Sequence, residues 1–199
     1  MLRHAAVLIA LLTAAPLAQA GNISADKGGV STAGKAQSPA ALRSAELDSL
    51  FGQLQSAEAS KSKTIEEKIW ANWSRADSVT AELLLGQASR ALAAQEYDAA
   101  LAMLDELLKA APDFAEAWNR RATLYFQMRR YDQSLADIDK VLELEPRHFG
   151  ALAGRGMIYM ALKKPNEALA AYREALTMNP HMEGVIDVVK RLEKQRPDI

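Results

Sequence analysis

The sequence predicts an all-α fold in which similar helical hairpins stack side by side into a solenoid. Three prolines, Pro112, Pro146 and Pro180, recur at intervals of 34 residues. Small and apolar residues recur at fixed places between them, and the chain has no cysteine from which a disulfide framework could be built. A repeat of about 20–50 residues is typical of solenoids, because each unit buries its apolar face against the next. The period therefore predicts the fold class.

The period divides the centre of the chain into three units, residues 81–114, 115–148 and 149–182. Apolar residues in each unit follow helical spacing over two stretches, which predicts two amphipathic helices, A and B. Counted from the first residue of a unit, places 8 and 20 hold small residues: Ala88, Ala122 and Gly156, then Ala100, Ser134 and Ala168. A larger side chain there would overpack the contact between helices A and B. The proline near the end of each unit cannot continue a helix and marks the turn to the next unit.

These units resemble the tetratricopeptide repeat. The middle unit has Trp118, Ala122, Tyr125, Tyr131, Ser134, Ile138, Val141 and Pro146 in the signature places of that family. The resemblance implies a right-handed α-solenoid whose A helices line a concave groove. The whole chain also resembles small exported members of the family from alphaproteobacteria, through the stretches Ile69–Trp73 and Arg147–Leu152. That narrower resemblance brings no assigned function with it.

The N-terminal residues 1–20 have the pattern of a secretory signal peptide. A basic start at Arg3 precedes an apolar run over Ala5–Ala15, and Ala18–Ala20 supplies small residues of the kind that a signal peptidase recognises. The run is short for a membrane span, and no transmembrane segment is expected in the mature chain. We expect an exported protein, periplasmic if the host is a Gram-negative bacterium. Residues 21–44 contain few large apolar side chains, which predicts a flexible linker.

Two further helical segments flank the repeats. Residues 45–80 contain two apolar stripes at helical spacing, and we expect a degenerate helix pair that covers the first unit, as end caps do in solenoids. Residues 183–199 begin with an apolar stripe that includes Val185 and Val189, with charged residues on the other side. This pattern predicts a capping helix followed by a short tail.

The composition gives little support for catalysis or for nucleic-acid binding. The formal net charge is −1, whereas binding to phosphates normally requires a basic excess. No group of potential ligands has the spacing of a metal site. His148 and His181 fall at unit junctions, where we expect solvated or helix-capping roles, and Asp137 is expected on a solvated face. We therefore predict no enzymatic activity, no cofactor, no metal and no nucleic-acid partner.

The remaining candidate for a functional surface is the concave face that the resemblance implies. In this family A helices line that face mainly through places 2, 5, 9, 12 and 13. The predicted partner-binding groove consists of Leu85, Leu92, Asn119, Thr123, Phe126, Gly150, Gly154, Met157 and Met160. We expect the two glycines to leave room for a bulky side chain of the partner. Such an apolar groove suits an extended or helical peptide with large apolar side chains.

The resemblance implies a non-enzymatic scaffold or adaptor that binds a protein or peptide partner. One subset of the family grips a partner's C-terminal carboxylates with Lys and Asn of the first unit and Lys and Arg of the third. This sequence has Leu85, Ser89, Gly150 and Gly154 at those places, so that clamp is missing. An assembly factor or chaperone for an envelope or secreted complex, and an accessory subunit of an exported enzyme, remain alternatives. The sequence leaves open the partner, the oligomeric state and whether the chain occupies its own groove.

Overall fold

The computed structural model describes residues 38–76 and 78–195, and every element of secondary structure within them is a helix. In chain order the helices are α1 Pro39–Ser56, α2 Ala59–Trp73, α3 Val79–Ala93, α4 Tyr97–Ala110, α5 Ala115–Gln127, α6 Tyr131–Leu144, α7 Phe149–Ala161, α8 Pro165–Met178 and α9 Glu183–Lys194. The prediction of an all-α fold is thus confirmed for these residues. None of the described helices is both long enough and apolar enough to span a lipid bilayer.

Helices α3 to α8 form three stacked hairpins, one for each repeat unit. The pairs α3 and α4, α5 and α6, and α7 and α8 make the most extensive contacts. The small residues at places 8 and 20 are buried where the two helices of each hairpin meet. At Gly156 the reason is direct, because a Cβ atom would lie 2.6 Å from the ring of Tyr172. Only glycine lets α7 and α8 approach this closely.

The turn between helices A and B has the same geometry in all three units. Place 15 adopts a left-handed backbone conformation with φ of 58–60°, and it is occupied by Gln95, Arg129 and Lys163. The amide of the following residue donates to the carbonyl five residues earlier, at 2.8–2.9 Å. This is the Schellman arrangement, which satisfies carbonyl groups at the end of helix A. The repeated turn gives each hairpin the same starting geometry.

Charged side chains join successive repeat units. An arginine at place 7 pairs with an aspartate at place 25 of the preceding unit: Arg121 with Asp105 at 2.7 Å, and Arg155 with Asp139 at 2.9 Å. Arg121 also donates two hydrogen bonds of 2.8 Å to Asp137. The expectation that Asp137 lies on a solvated face is wrong, because it is buried. Burial raises the pKa of Asp137, and the Arg121 guanidinium opposes that rise.

The N-terminal helix α1 begins earlier than the sequence pattern predicted. Pro39 occupies the first turn, and the Ser38 hydroxyl caps it by accepting a hydrogen bond from the Ala41 amide at 3.2 Å. Residues 39–44 are therefore helical, and their assignment to a flexible linker is wrong. The expected signal peptide at residues 1–20 and the rest of the linker up to residue 37 lie outside the described residues.

The hairpin of α1 and α2 packs against the third unit and α9, at the opposite end of the solenoid from the first unit. Leu54 and Ile69 from this hairpin are fully buried in one cluster with Phe149, Tyr172 and Val185. The expectation that the hairpin covers the first unit is wrong. The large apolar stripes of α1 and α2 meet a matching surface on the third unit, where an aromatic ring lies beside small residues, and burying more apolar area is favourable.

Among the residues that the structure describes, no helix pair consequently covers the outer edge of the first unit. Place 3 is buried in the second and third units, at Ala117 and Ala151, because the preceding hairpin covers it. In the first unit the same place is Leu83, which is 55% exposed, and Val79 beside it is 84% exposed. The other end of the stack is covered by α9, which buries Val185, Val189 and Leu192.

Candidate functional site

A cavity of about 70 Å³ lies on the inner face between the A helices of the second and third units. Helices α5 and α7 form most of its walls, and α2 closes one side. Six of the nine predicted groove residues line it: Asn119, Thr123, Phe126, Gly150, Gly154 and Met157. The same wall includes Ala122, Ile138, Phe149 and Ile158, so the lining is mainly apolar.

The other three predicted groove residues lie elsewhere. Leu85 is buried in the core of the first unit, and Leu92 packs against that core from its edge. Met160 is 40% exposed and does not line the cavity. The structure therefore brings together the predicted residues of the second unit and part of the third, and leaves those of the first unit apart from them.

The inner face of the third unit is occupied by the chain itself. A Cβ atom on Gly150 would lie 2.5 Å from Cη2 of Trp70, which is too close for any residue but glycine. The space at Gly150 thus accommodates Trp70 of α2, and the expectation that a partner's side chain fills it is wrong. At Gly154 the nearest atom to such a Cβ is Cδ1 of Ile138 at 3.6 Å, an ordinary contact. Of these two glycines in the described part of the chain, Gly154 is the one beside which space for an external side chain remains.

An aromatic cluster anchors the hairpin on this face. The Trp73 ring stacks on the His148 ring, with centroids 4.0 Å apart and an angle of 11° between the planes. Trp70 meets the same imidazole edge-on at 5.3 Å, and Phe149 and Phe51 pack around the two indoles. Aromatic pairs in these geometries add stabilisation beyond the area that they bury.

Polar contacts attach the hairpin to the junctions that flank the third unit. After the third unit, Gln55 Nε2 donates to the carbonyls of Thr177 and Met178 at 2.9 and 3.0 Å, and His181 Nε2 donates to the carbonyl of Leu54 at 3.0 Å. In the same junction Asn179 Nδ2 donates to Glu66 Oε2 at 3.1 Å. Before the third unit, Arg147 Nη1 donates to Asp48 Oδ1 at 2.7 Å. These bonds join the hairpin to both junctions, before and after the third unit. They fix the position of α2, and hence of the cavity wall that it supplies.

A buried carboxylate, Glu116, lies under the aromatic cluster. Its side chain is 0% exposed, and it accepts hydrogen bonds from Asn119 Nδ2 and Arg120 Nε, both at 2.9 Å. His148 Nε2 lies 3.4 Å from Glu116 Oε2. Burial on its own would raise the pKa of Glu116, but the charge of Arg120 and the contacts with His148 and Asn119 lower it below its ordinary value.

His148 links this carboxylate to the hairpin. Its Nδ1 accepts a hydrogen bond from the Ala151 amide at 3.1 Å and so caps α7. Helix capping was one of the two roles expected for this histidine. The other ring nitrogen, Nε2, faces Glu116. His148 is fully buried, so the expectation of an exposed junction is wrong. Because it is held between Glu116 and Trp73, this histidine connects the second unit to α2.

Within residues 38–76 and 78–195, no group of three or more His, Cys, Asp or Glu side chains is placed to hold a metal ion. Glu116, which has the most strongly enclosed carboxylate, is inaccessible to a substrate. What the inner face offers is an apolar cavity with a few polar groups at its rim, which can accept a side chain from another molecule.

Sequence reasoning missed the wall that α2 contributes, in particular Glu66 and Trp70. The contact is not local, since α2 precedes the first unit and touches the third. One signal was present at place 2, where the first two units have Glu82 and Glu116 and the third has Gly150. A glycine inside a helix is unfavourable unless something packs closely against it. That exception indicated a large neighbour without identifying it.

Comparison with known proteins identifies the repeats. A family model described as the tetratricopeptide repeat matches residues 85–127 and 119–183. A tetratricopeptide repeat-containing protein of Rhizobium etli is 42% identical over 83 residues, which is 41% of this chain. The matched part spans 41% of that relative's own length, so well over half of the relative has no counterpart in the match.

Solved structures have the same fold at low sequence identity. The first tetratricopeptide domain of Spaghetti (RPAP3), bound to the HSP90 peptide SRMEEVD, has a TM-score of 0.56 at 22% identity and covers 60% of this chain and 94% of its own. The Sgt2 domain of Aspergillus fumigatus has a TM-score of 0.56 at 17% identity, with 60% and 81% covered. The TPR2B domain of yeast Sti1, in a complex with pHsp70, has a TM-score of 0.54 at 20% identity, with 60% and 100% covered.

Proposed function

Because this chain belongs to the tetratricopeptide repeat family, we propose that it is a non-enzymatic scaffold that binds another protein through its inner face. The observation that carries this proposal is the cavity between α5 and α7. It is lined mainly by apolar side chains, opens on the face that the repeats curve around, and lies on rigid helices. A side chain of a partner segment would fill it and anchor the segment along the groove.

The partner differs in chemistry from the peptides bound by the structural neighbours. Those peptides include SRMEEVD and SGPTIEEVD, which end in acidic residues and a carboxylate. In this chain the corresponding groove places hold Leu85, Ser89, Gly150 and Gly154, which carry no positive charge. Nothing at these places would compensate the charge of such a terminus. The binding energy comes instead from burying an apolar anchor.

The same proposal places the scaffold in the periplasm of a Gram-negative host. Support comes from residues 1–20, whose basic start, apolar run and Ala18–Ala20 site follow the order of a secretory signal. The intact mass of the exported protein tests this directly. We expect a chain that begins near Gly21, and a full-length chain retained in the membrane fraction would contradict export.

Binding is tested by filling the cavity. Gly154→Leu places a side chain in the cavity without a close contact at Cβ, so the protein is expected to fold normally. Gly86→Leu is a matched control, because Gly86 holds the same place 6 in the first unit and lies outside the cavity. Each variant is used as bait in the host's periplasmic extract, and the retained proteins are quantified by mass spectrometry.

The expected result is a protein retained by the wild type and by Gly86→Leu, and lost with Gly154→Leu. Equal retention by all three proteins would exclude the cavity as the anchor site. Circular dichroism of each variant establishes that a loss of binding is not a loss of folding.

A further inference from the structure

The inner-face cavity is suited to one side chain of a larger partner. Its volume is about 70 Å³. Small-molecule sites are commonly several times larger, at roughly 300–1,000 Å³. An aliphatic side chain that is attached to a peptide, however, needs no larger space. The size therefore favours a peptide anchor over a free ligand.

The hydroxyl groups in the lining already donate to the protein's own backbone. Thr123 Oγ1 donates to the Asn119 carbonyl at 3.0 Å, and Ser134 Oγ donates to the Ala122 carbonyl at 2.6 Å. Their protons are therefore not free for a ligand, and the floor of the cavity presents mostly apolar atoms. An apolar group of the partner would be buried there without leaving either hydroxyl unsatisfied.

Among the described residues that line the cavity, Glu66 is the one with a formal charge. It stands on α2 at the rim, and it is half-buried. Oε2 accepts the bond from Asn179 Nδ2 at 3.1 Å, which is a neutral donor. Among the described residues no lysine, arginine or histidine forms an ion pair with Glu66. Both arginines of α5 are already paired, Arg120 with Glu116 at 2.9 Å and Arg121 with Asp105 and Asp137 at 2.7 and 2.8 Å.

We propose that the partner segment carries a lysine or arginine next to its apolar anchor, and that this cation pairs with Glu66 while the anchor fills the cavity. This inference rests on the proposed binding at the inner face and names the class of segment that binds there. The chemistry fits, because lysine and arginine bury their aliphatic stems along apolar surface and keep the charged head at the rim. A partly buried carboxylate also attracts a cation more strongly than a fully solvated one does.

The test compares the wild-type protein with Glu66→Gln. Glutamine keeps a side-chain oxygen that can accept the Asn179 hydrogen bond, so the variant removes the charge and retains the contact. Glu67→Gln is the matched control, since Glu67 is the next residue of the same helix, is exposed and lies outside the cavity. A random peptide library displayed on phage is selected on full-length wild-type protein, and recovered peptides are synthesised for affinity measurements.

We expect the recovered peptides to be enriched in a lysine or arginine within a few residues of a large apolar residue. Their affinity should fall at least about tenfold with Glu66→Gln and stay unchanged with Glu67→Gln, as loss of a charge-assisted contact implies. Added salt should weaken binding to the wild type more than binding to Glu66→Gln.

Two results would overturn the inference and leave the proposed function intact. In the first, the recovered peptides lack a basic residue or carry acidic residues, and Gly154→Leu abolishes their binding. Alternatively, peptides with a basic residue could bind Glu66→Gln as tightly as they bind the wild type. If Gly154→Leu has no effect on any recovered peptide, both the inference and the proposed anchor site are wrong.

Discussion

The two ends of the repeat stack are finished in different ways. At the first unit, Val79 and Leu83 of α3 are left on the surface, at the edge where a preceding hairpin would otherwise pack. At the third unit, α9 covers one side, and the N-terminal hairpin covers the inner face, where Phe149 is fully buried. A hairpin that precedes the first unit in sequence thus supports the last unit in space.

This difference gives the second and third units different roles at the cavity, although their sequences follow the same repeat pattern. The third unit supplies a rigid wall because its inner face is already packed against α1 and α2. The second unit supplies the open wall of the cavity, and the first unit has no part in it. The groove is therefore shorter than three units imply, and its position is set by where the hairpin docks.

The largest effect on stability is expected where the hairpin is anchored to the third unit. Trp73→Ala removes a buried indole that stacks on His148, and we expect a loss of about 3–5 kcal/mol in the free energy of unfolding. Leu83→Ala, at the exposed edge of the first unit, should change it by less than about 0.5 kcal/mol. Urea denaturation followed by circular dichroism measures both. A larger loss of stability for Leu83→Ala than for Trp73→Ala would indicate that the hairpin packs against the first unit and not against the third.

A second comparison uses place 2, where Glu82 is exposed and Glu116 is enclosed. Glu116→Gln should cost about 3 kcal/mol at neutral pH, because it leaves Arg120 without its partner. The folded-state pKa of Glu116 is lower than its ordinary value of 4.5, since Arg120 and His148 outweigh burial. Its contribution is therefore present above that value and is lost as the pH falls through the folded-state pKa.

The measurement is the stability of wild type, Glu116→Gln and Glu82→Gln at neutral and acidic pH. The difference between wild type and Glu116→Gln should shrink as the pH falls below 4.5 and through the lower folded-state pKa of Glu116. Glu82→Gln should match the wild type within about 0.5 kcal/mol throughout. A difference for Glu116→Gln that does not depend on pH would mean that the charge of this carboxylate does not stabilise the fold.

The smallest expected effects come from two glycines, because the gain in helix propensity offsets part of any steric cost. Gly150→Ala places a Cβ atom 2.5 Å from Trp70, and we expect a net loss of about 1–3 kcal/mol despite alanine's better helix propensity. Gly86→Ala meets its nearest atom, Arg90 Nη1, at 3.9 Å, so it should stabilise by about 0.5–1 kcal/mol. Thermal melts of both variants give the sign. Stabilisation by Gly150→Ala would show that Trp70 moves away at little cost.

Much of the fold could be predicted from the period. Pro112, Pro146 and Pro180 mark equivalent turns, and the small residues at places 8 and 20 lie where helices A and B meet. These features are local or repeat with fixed spacing, so the same residue pattern predicts the same helical hairpin in each of the three units. Asn119, Thr123 and Phe126 were expected on the inner face because the resemblance to the tetratricopeptide repeat implies that their places face the groove, and they line the cavity.

The residues that sequence reasoning misplaced depend on one long-range contact. His148 lies in a junction, which is usually exposed, but Trp73 and Glu116 enclose it. Gly150 was expected to receive a partner's side chain, but it faces Trp70. Leu85 and Leu92 belong to the core of the first unit, because the inner face there is closed by its own packing. The spacing of residues along the chain does not predict which unit the N-terminal hairpin packs against.

The sequence by itself determined that this chain is a stack of three helical hairpins, because a 34-residue period and small residues at fixed places admit one way to bury the apolar faces. Only the tertiary structure decided which part of the inner face stays open. The docking site of α1 and α2 depends on the match between two indole rings and a glycine-containing surface on the third unit. Such a match is a property of assembled surfaces, so it emerges only when residues far apart in the chain are brought together.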